Sequence, residues 1–210
     1  MNRKAFYDYL RPRLFNGGIA GPQVAGMERL LDVWEKFYAK DGSRNELAYD
    51  LATSYHETAW TMQPITERGP RSYFDKYEPG TKLGKMLGNT MPGDGYLFRG
   101  EGDVQNTGRR NAAYSSRKLN AAFLLGVDFV KNPEKRGDPI LSAHCLFLGN
   151  RQGWWTGADI KKYIDTVDES DAEDLREFMR ARAIVNGSDK AEKIGRNALV
   201  FEGALKAAGY

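Results

Sequence analysis

Residues 43–60 read Ser-Arg-Asn-Glu-Leu-Ala-Tyr-Asp-Leu-Ala-Thr-Ser-Tyr-His-Glu-Thr-Ala-Trp. Ser43 followed three residues later by Glu46 is the pattern of a capping box, in which each side chain takes a backbone N–H that a first helical turn leaves free. Leu47, Leu51 and Tyr55 then recur at four-residue intervals, which predicts a helix with an apolar face running to about Trp60. Glu57 falls near its end.

The flanks extend the helical reading in both directions. Upstream, Gly21-Pro22 places proline at a first helical position, and Val24, Met27, Leu30, Leu31, Trp34 and Phe37 or Tyr38 follow at helical spacing. Downstream, the turn signals crowd between Pro64 and Gly108: Gly69-Pro70, Pro79-Gly80, Gly84, Gly88, Pro92-Gly93, Asp94-Gly95, Gly100 and Gly102. Loops are expected there, with short strands near residues 73–77 and 96–99. Helices resume at Asp138-Pro139, an N-cap and first position, with Leu141, Cys145 and Leu148 on one face and Gly149 as the stop. The turn Trp154-Trp155-Thr156-Gly157 leads to a short helix near 160–164. Another helix is expected from 171 to 185, broken at Asn186-Gly187. Ser188 then caps a last one carrying Ala191, Ile194, Ala198, Phe201 and Leu205. No repeat or linker interrupts the pattern. It predicts one domain over residues 1–210, mainly α, with a small irregular β/loop region around 64–108.

Composition narrows the classes of function. The 210 residues carry 31 Lys+Arg against 28 Asp+Glu, a net charge of +3, with 41% hydrophobic and 28% charged side chains, which is ordinary globular usage. One cysteine, Cys145, excludes an internal disulfide framework and a cysteine-based zinc site, and two histidines make no His-rich metal centre, so neither metal nor cofactor is expected. The thin excess of +3, with an acidic window at 165–177 that includes Asp168 and Glu169, does not resemble the clustered basic face of a nucleic-acid binder. The longest apolar run, around 121–127, falls far below the roughly 18–20 residues a membrane span needs. The charged N-terminal segment is not a signal peptide. A monomer made in the cytoplasm, without stable membrane insertion, is expected.

Few side chains suit catalysis. His144 and Cys145 are adjacent, and neighbours at i and i+1 on a helix do not face each other, so the pair reads as core. Arg99-Gly-Glu-Gly-Asp lacks the strand–helix context of a dinucleotide loop. The carboxylates say more. Glu57 on a helix and Glu67 on the loop ten residues later suit glycosidic cleavage, which needs one protonated acid for the leaving oxygen and one ionised base or nucleophile across the sugar. Tyr55, Trp60, Tyr73, Phe74, Tyr96 and Phe98 are candidates for walling a sugar cleft. On spacing alone, a glutamate in a last helical turn is usually a solvated surface charge.

Three motifs sharpen this. Ser54-Tyr55-His56-Glu57-Thr58 resembles the Ser-His-Glu-Thr segment around the catalytic acid of glycoside hydrolase family 19, the plant-type chitinases and related phage endolysins. Gly95-Tyr-Leu-Phe-Arg-Gly-Glu-Gly-Asp-Val-Gln-Asn-Thr-Gly108 is similar to that family's Tyr-x-x-Arg-Gly-Arg-Gly-x-x-Gln-x-Thr-Gly signature, and Ile184-Val185-Asn186-Gly187 to its Ile-Ile-Asn-Gly. The turn at 153–157 and the segment from Arg182 to Glu192 resemble the bacterial and prophage branch. The resemblance implies an α+β, lysozyme-like fold with Glu57 as general acid and Glu67 as the base of an inverting reaction. It implies that Thr107 helps hold the attacking water, and that His56, Tyr96, Gln105, Asn111 and Asn186 contact the sugar. Gln105 and Asn186 also suit plain turn stabilisation.

The chain departs from the family pattern at Glu101, where a basic residue is usual, at Asp103 and Asn106, where apolar ones are, and at Arg110, where tyrosine is common. Two acids in a cleft wall are expected to alter its field. A single cysteine and a charged start fit the endolysin branch better than a secreted chitinase. The expected substrate is therefore the glycan strands of peptidoglycan, reached in the periplasm after release through a holin-type pore. A chitinase acting on N-acetylglucosamine polymers, a weakly active wall-binding protein and a single-acid lytic transglycosylase are the alternatives.

Overall fold

In the computed structural model, which describes residues 1–167 and 170–210, the capping box forms as the sequence predicts. Ser43 Oγ accepts from Glu46 N at 3.1 Å, and the Glu46 carboxylate accepts from Ser43 N at 3.0 Å, opening α3 (Arg44–Glu57). Such a cap contributes about 1 kcal/mol. The helix ends at Glu57 rather than near Trp60. Thr58 Oγ1 donates to Ser54 O at 2.7 Å and accepts from Met62 N at 3.0 Å, and Ala59, Trp60 and Met62 take left-handed φ values of 49°, 67° and 58° that turn the chain away. Asp168 and Glu169 of the acidic window lie outside the described residues.

Every residue of α3 from Asn45 to Tyr55 is buried. Helix α10 (Ala191–Ala207) packs along it and also against α1 (Arg3–Leu14) and α8 (Asp171–Ala181). The other side is covered by α2 (Gly21–Phe37) and α7 (Pro139–Arg151), with α6 (Arg109–Phe123) packed on α7. The fold is mainly α, as predicted, and its one sheet among the described residues is small. Strand β1 (Ile65–Thr66) pairs antiparallel with β2 (Glu101–Gly102), Ile65 opposite Gly102 and Thr66 opposite Glu101.

Several local expectations are corrected. Residues 73–77 lie in a 3-10 helix, Arg71–Tyr77, and 96–99 overlap α5 (Asp94–Leu97), not strands. Their aromatic rings favour strands intrinsically, yet packing decides here: buried Phe74 meets Tyr73, Tyr77 and Tyr96 at centroid distances of 5.2, 6.3 and 5.5 Å. Gly149 does not stop α7 but lies inside it, where a Cβ would stand 2.8 Å from Trp155 Cε2. Ser188 does not cap α10; left-handed Lys190 precedes it without a side-chain cap. The helix expected over 171–185 is split at Arg182 into α8 and α9 (Ala183–Asn186). Helices α1 and α6 carry no clear signal in sequence. Proline at position 12 argues against a helix there, yet α1 runs through it to Leu14, and the buried face of α6 is Ala112, Ser115, Ser116 and Leu119, too small and polar to read as apolar periodicity.

Asp103 is not a cleft residue. It is fully buried and fastens four parts of the chain. Arg29 of α2 grips both its oxygens at 2.8 and 2.7 Å, Ser54 of α3 donates at 3.0 Å and Ser142 of α7 at 2.6 Å, while Ser142 Oγ also accepts from Asp103 N. Glu101 is likewise buried, accepting from Thr66 Oγ1 across the sheet at 2.8 Å. Asp103, paired with Arg29, belongs to the scaffold, while Glu101 borders a second cavity with Arg99 and Arg136; neither lines the Glu57 cleft. His144 and Cys145 are core, as read: Tyr38 OH lies 2.7 Å from His144 Nδ1, and Phe123 packs on the imidazole at 4.3 Å.

Two outcomes follow from the buried carboxyls. Asp103→Asn strands the Arg29 guanidinium and is expected to cost about 3–5 kcal/mol in urea unfolding; a change within experimental error would contradict the role. Asp50, fully buried in α3, is pushed well above the usual carboxylate range by burial, against the Asn150 amide that favours its charged form. The unfolded chain releases this proton above about pH 3.9 while the folded chain retains it, so wild-type stability falls as pH rises through that window. Asp50→Asn is accordingly expected to melt at or above wild type at pH 8, with the gap narrowing toward pH 4. A lower melting temperature at pH 8 would be the contrary result.

Candidate active site

The last residue of α3 is the best-placed carboxylate in the molecule. Glu57 Oε1 accepts from Arg182 Nη1 at 2.7 Å, and Arg182 is fixed in turn by donating from Nε to Asp189 O at 3.0 Å. Tyr49, one helical stretch earlier, donates its hydroxyl to Ala181 O at 2.9 Å and pins the α8–α9 junction where Arg182 stands. Arg182 is 1% exposed, whereas the Glu57 side chain keeps 15%. The pair thus has a buried, anchored cation and a carboxylate that reaches open space.

That space is a cleft of about 400 Å³. Its polar wall holds Thr107, Gln105, Asn111, Asn186 and Arg110; its apolar wall holds Leu83, Met86, Leu87, Val104 and Val185, with Trp155 and Tyr77 as the aromatic members. Gln105 is held in a left-handed conformation, φ 51°, and its Nε2 donates to Ile65 O at 3.0 Å and Gly102 O at 3.2 Å. Thr107 Oγ1 donates to Gln105 O at 2.8 Å, and Asn111 Nδ2 to Thr107 O at 2.9 Å. Each side chain spends a donor on the scaffold and keeps its acceptor oxygen. Trp155 donates Nε1 to Asn150 Oδ1 at 3.0 Å, and Asn150 donates Nδ2 to Asp50 at 2.6 Å, so a buried relay holds the indole in the wall.

Glu67 opens into a neighbouring cavity of about 500 Å³, lined by the segment from Pro64 to Gly69 with Tyr96 and Arg99. Its Oε2 accepts from Gly100 N at 3.0 Å and its Oε1 from Tyr77 OH at 3.3 Å. Tyr77 also borders the Glu57 cleft, so its phenol joins the two spaces. Burial and the Glu67 carboxylate push the Tyr77 phenol up, and it stays a proton donor to Glu67.

The structure therefore gathers five of the residues singled out in sequence, Glu57, Thr107, Gln105, Asn111 and Asn186, around one cleft. Glu67 and Tyr96 line the adjoining cavity. His56 lines neither; burial lowers its pKa against the opposing charge of Glu57, with Arg182 and Lys193 adding to the lowering. Arg182, Tyr77 and the packed face of Trp155 escape sequence reading as site residues. Arg182 left one signal: with Phe178, Ala181 and Val185 it falls on the helical spacing that buries a face, an odd place for a cation unless a carboxylate awaits it. Among the described residues no group of His, Cys, Asp and Glu side chains is arranged to hold a metal ion.

Comparison with protein-family models and with curated proteins finds no match to this chain.

The ion pair is testable by a double-mutant cycle. Arg182→Gln and Glu57→Gln singly are expected to destabilise, Glu57→Gln because it strands the buried guanidinium and Arg182→Gln because it also loses the bond to Asp189 O. The double variant is expected to lose less than their sum, with a coupling of about 1–3 kcal/mol. Strict additivity would mean the contact contributes nothing.

Proposed function

We propose that the chain is a glycoside hydrolase that cuts β-1,4 bonds in the glycan strands of peptidoglycan, with Glu57 as the proton donor. The observation that carries this reading is the placement of Glu57: a carboxyl at the end of a rigid buried helix, opening into a cleft whose other polar groups are three amides, the Thr107 and Tyr77 hydroxyls and a single cation, Arg110. Arg182 occupies Oε1 alone, which leaves Oε2 to meet the glycosidic oxygen. Uncharged donors and acceptors suit N-acetylated sugars, which offer hydroxyl and amide groups in both senses. Thr107 keeps lone pairs to accept from a water, and the exposed Leu83 and Met86, 43% and 57% accessible, offer an apolar lip for a sugar face. The choice of peptidoglycan over chitin rests on the resemblance to the endolysin branch and on a chain whose one cysteine is free and buried.

In the hydrolytic scheme Glu57 protonates the leaving oxygen while Glu67 takes a proton from the attacking water. One observation favours a second reading. Glu67 is tied to Gly100 N and Tyr77 OH and lines a different cavity from Glu57, an arrangement that also suits a single-acid lytic transglycosylase in which the sugar's own hydroxyl closes on the anomeric carbon.

Turbidity of outer-membrane-permeabilised Gram-negative cells tests the acid. Wild type is expected to clear them, and Glu57→Gln to slow clearing by about 10²-fold or more; equal clearing overturns the assignment. Glu67→Gln separates the two schemes. A comparable loss with reducing-end products supports the two-carboxylate hydrolase. Near-full rate with anhydro-sugar ends, read by mass spectrometry, supports the transglycosylase.

A further inference from the structure

Four arginines held against the scaffold are met by a carboxylate, and buried Arg136 is held by main-chain carbonyls. Arg29 meets Asp103 at 2.7 Å, Arg109 meets Asp94 at 2.6 Å, Arg151 meets Glu46 at 2.9 Å and Arg182 meets Glu57 at 2.7 Å. The cavity beside Glu67 breaks the pattern. Arg68 and Arg99 line it, and the guanidinium carbons of Arg99 and Arg71 stand 4.1 and 5.0 Å from the ring centroid of Tyr96. Among the described residues no carboxylate lies within 4.0 Å of a nitrogen of any of these three arginines. Glu67, the acid in that wall, is committed to Gly100 N and Tyr77 OH. Arg99 is oriented by donating Nη1 to Tyr96 O at 2.6 Å, which fixes its head on the ring.

A phenol face attracts guanidinium groups without neutralising them, so the Tyr96 platform concentrates positive charge and leaves it uncompensated. Planar guanidinium forks match carboxylates in paired hydrogen bonds. The cavity adjoins the Glu57 cleft through Tyr77, which lines the cleft and donates its hydroxyl to Glu67. We propose that Arg68, Arg71 and Arg99 around Tyr96 form a carboxylate-binding subsite for the acidic branches of a glycan, seating the peptide stem of peptidoglycan while the cleft holds the sugar backbone. The subsite rests on the reading of the substrate as a glycan; it makes the charge on the branch, and not the sugar, the feature that separates peptidoglycan from chitin.

The test is equilibrium binding to the full chain carrying Glu57→Gln, which leaves the oligomers uncut. Three probes of equal length are compared: stem-bearing glycan strands, stem-free strands that expose the lactyl carboxylate, and neutral N-acetylglucosamine oligomers. The stem-bearing probe is expected to bind tightest, with a preference over the neutral oligomer that shrinks as salt is raised. Arg71→Gln and Arg99→Gln are each expected to cut that preference about fivefold, with Arg99→Lys recovering part of it. Arg71 is exposed, so its variant reports even if a change at Arg99 disturbs the loop. A preference unchanged in both Gln variants overturns the subsite, as does equal binding of all three probes. Equal binding of stem-free and stem-bearing strands, lost in the variants, assigns the carboxylate to the lactyl group instead of the stem. Clearing of cells by the wild-type chain, measured alongside, keeps the two readings apart. Clearing without an arginine-dependent preference removes the subsite alone, and the preference without clearing removes the hydrolase alone.

Discussion

A helix buried on every side cannot leave its polar side chains to water, and α3 carries many of them. Most are met by side chains from other parts of the chain, while Thr53 Oγ1 and one Asp50 oxygen stay without a partner among the described residues. Asn45 donates to Asp174 of α8 at 3.0 Å, and Glu46 pairs with Arg151 of α7 at 2.9 Å. Asp50 accepts from Asn150 at 2.6 Å, Ser54 donates to Asp103 at 3.0 Å, and Glu57 receives Arg182 at 2.7 Å. An unmatched buried polar group costs about 1–3 kcal/mol, and more if charged, so these contacts set the positions of α7, α8 and the β2 loop as firmly as apolar packing does. The polar partners also fix register along the helix, which an apolar surface alone specifies loosely.

The candidate site inherits its rigidity from this arrangement. Glu57 is the terminal member of the same series, held by a cation that is itself buried and anchored. The wall opposite is fastened by Asp103, whose partners come from α2, α3 and α7. Gly26 contributes where α2 passes the turn after Glu57: a Cβ there would stand 2.6 Å from the Met62 carbonyl carbon, so glycine lets that turn lie against the helix. The left-handed residues at 59, 60 and 62 end the helix abruptly and leave Glu57 at its mouth. Acids that look out of place in the signature motif thus lie outside the lining of the Glu57 cleft, Asp103 as a buried fastening of the structure beneath it.

How much was legible in the sequence depended on range. The capping box at Ser43 and Glu46, the proline start at Pro22 and the Asp138 cap are local chemistry, readable from a few adjacent residues, and each forms. Motif resemblance points to Glu57 and the residues around it, and Glu57 with four of them converges on one cleft. What could not be read was chemistry between distant positions. Asp103 finds partners at 29, 54 and 142, and Arg182 finds Glu57 across 125 residues, separations at which spacing carries no information. The aromatic turn at 71–77 was misread for the opposite reason: its intrinsic preference is clear, and packing of Phe74 against Tyr96 overrides it. Small buried faces, as on α6, leave too little apolar contrast to detect.

The central claim is that the Glu57 carboxyl delivers the proton that breaks a glycosidic bond, and release of soluble fragments from purified sacculi in ¹⁸O-labelled water reads it most directly. The wild-type chain is expected to release fragments with a new sugar end, carrying the heavy oxygen if water is the nucleophile, and a Glu57→Gln variant whose cooperative melting shows it folded is expected to release almost none. Fragments released at the same rate by both chains would contradict it.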